Sequence, residues 1–244
     1  MYELILKEDS FLTSKEIANN EILDKLNSIV VPQNTNIELV IINDEPNLLK
    51  NNLNLSFYCK SNSKIKFFYL VKGISENFTH FANINFNLIE DNSEAEIYLA
   101  SLLKQNSKSE INLKVVHNKK FTKSNVNAST IVFDHARAVF NGVVKIVNGA
   151  INSDAYLKDS SLMVGNDSEV ISIPSMIIEE NDVKAGHAAT IGTIGEEEMF
   201  YMQTRGLSEK DVYNLLIDNY YQTLRRISNQ VVIKKFLMDM GSIS

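Results

Sequence analysis

The sequence predicts a mainly β chain whose core is a β-solenoid, with helical segments before and after it. Strand-like runs rich in Ile, Val, Phe and Tyr recur from about residue 31 to residue 178, and no helix of ordinary length interrupts them. Four runs, at residues 62, 92, 106 and 167, open with Asn or Asp followed by Ser and a charged residue. Such short polar side chains favour turns, so these positions indicate equivalent corners of a coiled chain. A sandwich or a barrel is the alternative.

A short helix is predicted before the strands. Residues 13–30, "TSKEIANNEILDKLNSIV", place four aliphatic side chains along one helix face, and Thr13 or Ser14 is suited to cap the first turn. The strand-like runs that follow are "IELVII", "NLSFYC", "KIKFFYL", "FANINFNLI", "AEIYLASLL", "INLKVVH", "ASTIVF", "AVFNGVVKIV" and "EVISIPSMII".

From about residue 196 the pattern becomes helical. The stretch "GEEEMFYMQTRG" has three glutamates in its first turn, where the helix dipole favours negative charge, and it ends at Gly206. Ser208 is the predicted N-cap of a second helix, and a final helix is predicted near residues 229–240. The predicted apolar stripe of the second helix consists of Val212, Leu215, Leu216, Tyr220, Thr223, Leu224 and Ile227.

Composition excludes several classes of function. The 244 residues carry a net charge of −6 and a pI near 5.3, which offers no basic surface for nucleic acid. No uncharged apolar run reaches the roughly 18 residues of a membrane span, and the acidic N-terminus is unlike a signal peptide, so we expect a cytoplasmic protein. Cys59 is the single cysteine; it allows no intrachain disulfide and is expected to be a buried small hydrophobe.

The usual catalytic motifs are missing from the sequence. It has no phosphate loop, no dinucleotide fingerprint, no nucleophile elbow and no His-Glu-x-x-His pair, so any ATP hydrolysis belongs to another protein. We expect His80, His117 and His135 to be surface or hydrogen-bonded core residues. The carboxylate runs at 179–180 and 196–198 are better explained by a solvated corner and a helix N-terminus than by acid–base catalysis.

His187 is the exception among the histidines. In "DVKAGHAAT" it is surrounded by Gly and Ala, which let another backbone, a cofactor or a subunit come close. The residues alone leave three interpretations open for this stretch: a packed corner, a ligand position or a contact surface.

The C-terminal half of the sequence resembles the SufB/SufD family, the scaffold subunits of SUF iron–sulfur cluster assembly. The resemblance is carried by "GHAAT", the acidic turn after it, "FYMQTRG" and the helix start "LSEKD". Upstream, "HNKK", "FNG" and "SSLMVG" occur in the family's order, so that the resemblance covers residues 110–230.

The resemblance implies a right-handed parallel β-helix with a C-terminal helical domain. The expected division is a short, partly helical segment at 1–30, the β-helix core at 31–195 and the helical domain at 196–244. It also implies pairing through the β-helix with a SufB-like subunit or a second copy, binding to the SUF ABC-type ATPase, and the cysteine desulfurase system as a further candidate partner. The expected ATPase-binding residues are Phe200, Tyr201, Arg205, Gly206, Leu207, Asp211 and Leu215.

Within the family, particular residues point to a SufD-like member. SufB-like chains carry a cysteine where this chain has Asp159, and glutamates where it has Gly186 and Ala188. Some SufD relatives have a cysteine at the position of Ala185. His187 is therefore the candidate ligand of a transient cluster, and a SufB-like partner must supply the thiolates. The N-terminal domain common in the family is reduced to about 30 residues here.

Two other functions remain open from the sequence. One is an assembly module that pairs through solenoid edges and binds no metal. The other is a solenoid enzyme that acts on sugars or acyl groups, which would need regular hexapeptide spacing or clustered Asp and Arg on one face, and neither is visible.

Overall fold

The computed structural model of the chain describes residues 2–5, 26–43 and 52–222. Two helices are described, α1 (Glu196–Thr204) and α2 (Glu209–Tyr220). The strands are β1 (Tyr2–Ile5), β2 (Leu26–Val31), β3 (Asn36–Asn43), β4 (Asn52–Cys59), β5 (Lys64–Gly73), β6 (Thr79–Leu88), β7 (Glu94–Leu103), β8 (Lys108–His117), β9 (Lys123–Phe133), β10 (Arg137–Ile146), β11 (Asp154–Val164), β12 (Glu169–Ile178) and β13 (Lys184–Ile194).

The strands form two parallel sheets that share one long interior. One sheet has the order β1-β2-β4-β6-β8-β10-β12 and the other has the order β3-β5-β7-β9-β11-β13. From β2 onward each strand therefore pairs with the strand two positions along the chain. Lys64 and Glu94, 30 positions apart, stand side by side in neighbouring strands. Coils of this kind make a parallel β-solenoid, which confirms the prediction for the core.

The N-terminal helix is not shown by the structure. Its predicted residues 13–25 lie outside the described residues, and residues 26–30 lie in β2 instead. β1 pairs with β2, so strands precede residue 31, where the strand-rich region was predicted to begin. The predicted helix near 229–240 also lies outside the described residues.

The Asn-Ser and Asp-Ser pairs do mark corners, but they fall on two different sides of the solenoid. Asn62 and Asn92 lie between strands of the first and second sheet and adopt the left-handed conformation, with φ of 54° and 59°. The pairs at 106 and 167 lie at the opposite corner, where the left-handed residues are Gln105 and Gly165. The prediction of turns at these four positions is therefore confirmed, whereas the prediction that they are equivalent corners is wrong.

One corner repeats the same local chemistry from coil to coil. Its left-handed residues are Asn34, Asn62, Asn92, Phe121 and Asn152. In most coils, the Ser or Thr that follows donates a hydrogen bond to the carbonyl three residues earlier, as Ser63 Oγ does to Lys60 O at 2.6 Å. Asn suits this corner because its side chain tolerates the left-handed region, whereas a Phe there is strained.

Phe121 provides a test of that constraint. Phe121→Asn should raise the free energy of unfolding by about 0.5–1 kcal/mol, because Asn relieves the left-handed strain and the phenyl ring is half exposed. Denaturant unfolding measures the change. The matched reverse substitution, Asn92→Phe, should lower stability; if it is neutral, the corner conformation does not limit stability.

The inward side chains of the two sheets form one continuous apolar core. In β5, Ile65, Phe67, Tyr69 and Val71 alternate inward and are fully buried. Phe57 stacks on Phe86 from the next coil with ring centroids 4.3 Å apart. Parallel stacking places like positions above each other, so aromatic and aliphatic side chains form columns along the solenoid.

Two histidines are buried in this core with both ring nitrogens hydrogen-bonded. His80 contacts the Tyr69 hydroxyl at 2.6 Å and Ser109 Oγ at 2.9 Å. His117 contacts Thr122 Oγ1 and Ser124 Oγ, each at 2.8 Å. Burial lowers the pKa of each imidazole to about 4. Both are thus hydrogen-bonded core residues, as expected; the imidazole of His135 is exposed and lies 3.6 Å from Asp167.

The buried histidines make stability depend on pH. Because their pKa falls from 6.5 to about 4 on folding, the unfolded chain binds more protons between these values. The free energy of unfolding should be constant with respect to these groups above pH 6.5 and fall as the pH drops towards 4, by on the order of 3 kcal/mol per histidine.

Unfolding at several pH values checks this expectation. His80→Gln removes one titrating group and should flatten the pH dependence between 4 and 6.5 relative to the wild-type protein. Equal slopes in the two proteins would contradict the assignment.

The outer face of the first sheet carries a ladder of asparagines. Asn83 Nδ2 donates to Asn54 Oδ1 at 2.7 Å, Asn112 donates to Asn83 at 3.1 Å, and Asn141 donates to Asn112 at 2.6 Å. These four residues are register partners in successive strands, and the next partner is Ile173. The ladder fixes the register of the four coils it joins.

The second sheet buries its outer face against α2. Ile217 and Tyr221 pack there with Phe68, Phe133 and Leu162 in a second apolar cluster. The two helices predicted from residue 196 are confirmed within the described residues, and Ser208 is the N-cap of α2, as expected. Thr223, Leu224 and Ile227 of the predicted stripe lie outside the described residues. The predicted stripe is wrong at Leu215, which is 54% exposed, while Ile217 is buried in its place. None of the described helices has the length and apolarity to cross a membrane.

Candidate functional site at the last coil

The last described coil of the solenoid, β12 and β13, is open. β12 pairs only with β10 and β13 pairs only with β11 within the described residues. Each strand therefore presents one edge of backbone N–H and C=O groups without a strand partner in the described part of the chain. Edges of this kind are sites of pairing with another chain.

The stretch around His187 is a strand, so the interpretation as a packed corner is wrong. It forms the first half of β13 and pairs in register with β11. Gly and Ala have low strand propensity, which hid this strand in the sequence. It is held in place by its ladder to β11, with Ala185 opposite Ala155 and His187 opposite Leu157.

His187 occupies the last position of an inward-facing column. The preceding members of the column are Leu39, Phe67, Ile97, Val126 and Leu157. All five are buried in the core, whereas His187 is exposed because no described strand covers it. The polar imidazole thus lies where the apolar interior of the solenoid meets its open end.

The surroundings of His187 leave its ring accessible. Ala185 and Ala189 flank it on the same face of β13, and the side chain forms no hydrogen bond with another described residue. On the other face, a Cβ at Gly186 would lie 3.6 Å from the Tyr156 ring. An exposed imidazole without a partner is able to coordinate a metal or to contact another subunit.

The described residues do not complete a metal site around His187. They contain no group of three or more His, Cys, Asp and Glu side chains that could hold an ion. Cys59 lies fully buried in β4, and burial raises the pKa of its thiol to about 12. Its thiolate is therefore not available at neutral pH, and the expectation that Cys59 is a buried small residue is confirmed.

Asp159 brings a carboxyl group into the interior one coil before the open end. It is fully buried on the inward face of β11, in a column with Leu99 and Ala128. Ser161 Oγ donates to its Oδ2 at 3.4 Å, while Oδ1 has no hydrogen-bond partner among the described residues. Burial raises the pKa of this carboxyl group. The sequence analysis singled out Asp159 because SufB-like chains have a cysteine there, but its burial follows only from the register of the strands.

Apolar side chains surround the open end. Ile173, Ile177 and Ile178 in β12 and Ile191 in β13 are each about half exposed. The register places Ile173 and Ile177 on the outer face of β12 and Ile191 on the inward face of β13. Exposed apolar groups beside unpaired strand edges favour contact with another subunit.

The residues expected to bind the ATPase divide into exposed and structural groups. Phe200 and Tyr201 on α1 and Leu215 on α2 are all more than half exposed. Arg205 Nη2 donates to the Tyr201 hydroxyl at 2.8 Å and its guanidinium lies over the same ring.

The remaining members of that group shape the turn between the helices. Gly206 has φ of +92°, Leu207 is half-buried, and Asp211 Oδ2 accepts hydrogen bonds from Ser208 N and Oγ. These bonds from Ser208 lower the pKa of the Asp211 carboxyl group. The turn thus positions α2 against the second sheet.

Comparison with known families agrees with this architecture. The family model described as "SUF system FeS cluster assembly, SufBD core domain" matches residues 4–220. The chain belongs to the SufBD family. The match includes β13, α1 and α2, so the last coil and the helices that follow it are part of the family's core domain.

Individual relatives point to the SufD branch. The SufD protein of Escherichia coli is 33% identical over 135 residues, which cover 55% of this chain and 32% of that protein. SufD of Bacillus subtilis is 27% identical over 129 residues, 53% of this chain and 29% of the relative. A SufBD family protein of Synechocystis is 27% identical over 133 residues, 54% of this chain and 28% of the relative. The matched part thus spans about a third of each relative, and the chain is SufD-like.

Proposed function

We propose that this SufD-like chain is a non-catalytic scaffold subunit of SUF iron–sulfur cluster assembly in the cytoplasm. Its open last coil pairs with a SufB-like subunit or with a second copy, and His187 contributes one ligand to a cluster that is built there and passed on. The C-terminal helices bind the ABC-type ATPase of the system. The observation that carries the proposal is the partnerless imidazole of His187 at the open, apolar end of the solenoid.

Pairing through the last coil is supported by its unpaired backbone groups and its exposed apolar side chains. The free edges of β12 and β13 offer backbone donors and acceptors, and Ile173, Ile177 and Ile191 offer apolar area beside them. A second subunit at this edge would satisfy both kinds of group at once. It would also enclose His187, because the imidazole lies on the same strand.

A shared ligand set is supported by the donors present. Iron–sulfur clusters are held mainly by thiolates, with His as an occasional replacement. This chain offers the exposed imidazole of His187, and its single thiol, that of Cys59, is buried with a raised pKa. The thiolates must then come from the partner subunit, and sulfur from a cysteine desulfurase system. The cluster is cargo of the assembled complex.

Coupling to an ATPase is supported by the helices and by the sequence motifs. The sequence has no phosphate loop, and Phe200, Tyr201 and Leu215 present large side chains to solvent on two adjacent helices. Aromatic and aliphatic anchors of this kind are typical of the centre of protein interfaces. The chain would be moved by the ATPase and would not hydrolyse ATP.

The role of His187 can be tested by substitution. His187→Ala should lower the iron and sulfide content of the reconstituted complex several-fold while it changes the free energy of unfolding by less than about 0.5 kcal/mol, because the side chain is exposed and has no hydrogen-bond partner among the described residues. Metal and sulfide analysis with a SufB-like subunit and the ATPase, beside thermal unfolding of the single chain, provides both readouts.

His135→Ala is the matched control, since His135 is also an exposed histidine but lies at the corner between β9 and β10, in a cavity that Gly195 lines and His187 does not. It should leave cluster content unchanged. If both variants assemble clusters normally, the last coil acts as an assembly surface that binds no metal. If the chain fails to co-purify with either partner, the scaffold assignment fails.

The helical surface can be tested separately. Phe200→Ala and Leu215→Ala should each weaken ATPase binding by about 5- to 150-fold, as truncation of an interface anchor costs about 1–3 kcal/mol. Titration of the ATPase into the chain measures the affinity. Phe121→Asn removes an exposed aromatic ring from the solenoid corner and should bind normally; equal affinity in all three variants would place the ATPase elsewhere.

A further inference from the structure

Two adjacent tyrosines connect the end of α2 to the backbone of the second sheet. The Tyr221 hydroxyl donates to Ser101 O in β7 at 2.5 Å, and the Tyr220 hydroxyl donates to Ser161 O in β11 at 3.2 Å. β7 and β11 lie on opposite sides of β9. Adjacent residues of a helix end point about 100° apart, which lets the two side chains straddle β9.

The two tyrosines differ in what surrounds them. Tyr221 is fully buried in the cluster between α2 and the sheet, and it anchors the helix to the middle of the solenoid. Tyr220 is half-buried and reaches towards the edge of the sheet. A shift of α2 relative to the edge strands would therefore change the Tyr220 contact while Tyr221 holds the centre.

The Tyr220 hydroxyl, which bonds to β11, also lies close to Gly192 of β13. A Cβ on Gly192 would lie 3.4 Å from the Tyr220 hydroxyl oxygen, 3.4 Å from Leu162 Cδ1 and 4.0 Å from Ser161 O. Gly192 is the register partner of Leu162, so the hydroxyl sits over the junction between the last two strands. A Cβ alone would make ordinary van der Waals contacts there, whereas a side chain larger than that of Ala would crowd this position.

The rest of β13 has little support from the helices. On the outer face of the strand, Gly186, Ala188 and Thr190 precede Gly192, and of the residues of β13 only Ile194 packs with the α2 cluster. Among the described residues, the half of β13 that carries His187 is thus held mainly by the ladder to β11, whereas its C-terminal half is also held by α2 and by the direct connection to α1.

We propose that Tyr220 is a positioning residue that couples α2 to β13 and thereby sets the position of His187 at the open coil. The inference rests on the proposed function. It adds the route by which a movement of the helices reaches β13, the strand that carries His187. Displacement of α2 would lift Tyr220 from Ser161 and Gly192, and β13 would lose its support on the outer face. The strand would then be free to shift at the subunit interface.

Hydrogen exchange of the full-length single chain tests the coupling without any partner. Tyr220→Phe deletes the hydroxyl and keeps the ring, and we expect amide exchange in residues 184–194 to rise about fivefold, as for the loss of one hydrogen bond. Exchange in 94–103 should stay unchanged. Tyr213→Phe is the matched control, because within the described part of the chain the Tyr213 hydroxyl donates to Glu209 of its own helix, at 2.7 Å, and not to the sheet.

A second variant tests whether the effect depends on the contact of Tyr220 with β13 and not on the deleted hydroxyl group itself. Gly192→Val leaves both tyrosines intact and places branched side-chain atoms beyond a Cβ that would already lie 3.4 Å from the Tyr220 hydroxyl oxygen, so it should displace the hydroxyl and raise exchange in 184–194 as well. Unchanged exchange in 184–194 in both variants, or an equal rise across all strands, would overturn the proposal.

The complex with the ATPase separates this inference from the proposed function. In the wild-type protein, addition of ATP should change exchange in 184–194, and Tyr220→Phe should abolish most of that change while Tyr213→Phe retains it. If ATP changes nothing in the wild type although the single-chain result holds, the coupling through Tyr220 stands and the proposed link to the ATPase fails. If Tyr220→Phe responds to ATP like the wild type, Tyr220 is not the route.

Discussion

The in-register stacking of parallel strands is the constraint on which the rest of the molecule depends. Because from β2 onward each strand pairs with the one two positions along the chain, an inward side chain is covered by its equivalent in the next coil. The column from Leu39 to Leu157 is buried for this reason. The same rule exposes the last member of the column, since no described strand follows. A single geometric relation thus makes the core and also leaves His187 accessible.

The register of the strands also explains why the buried polar side chains differ in how completely they are hydrogen-bonded. His80 and His117 lie in coils that are covered on both sides, and their ring nitrogens are bonded to neighbouring hydroxyl groups. Asp159 lies beneath a single remaining coil, and one of its carboxyl oxygens has no partner among the described residues. Buried polar groups are normally satisfied, but Asp159 Oδ1 in the penultimate coil and Ser172 Oγ in the last coil are buried without a partner among the described residues, so this end of the solenoid departs from an ordinary core. Asp159 lies one strand away from His187.

Much of this arrangement could be predicted from local patterns, and the remainder depends on long-range contacts. The strand runs, the turns at Asn62 and Asn92 and the N-cap at Ser208 follow from side-chain chemistry within a few residues. β13 was missed as a strand because its glycines and alanines have low strand propensity and only the pairing with β11 holds it extended. Leu215 was assigned to the buried stripe because the sequence does not reveal that α2 meets the sheet through Ile217 and Tyr221.

The asparagine ladder has a consequence for the length of assemblies. A solenoid with alike coils at its ends can stack end to end without limit, and a hydrogen-bonded ladder of identical side chains would guide such polymerisation. In this chain the ladder runs from Asn54 to Asn141 and stops at Ile173, which can neither donate nor accept the next amide bond. The change from amide to aliphatic side chain ends the polar repeat at the last coil. The polar ladder therefore provides no guide for end-to-end stacking of further copies at this coil.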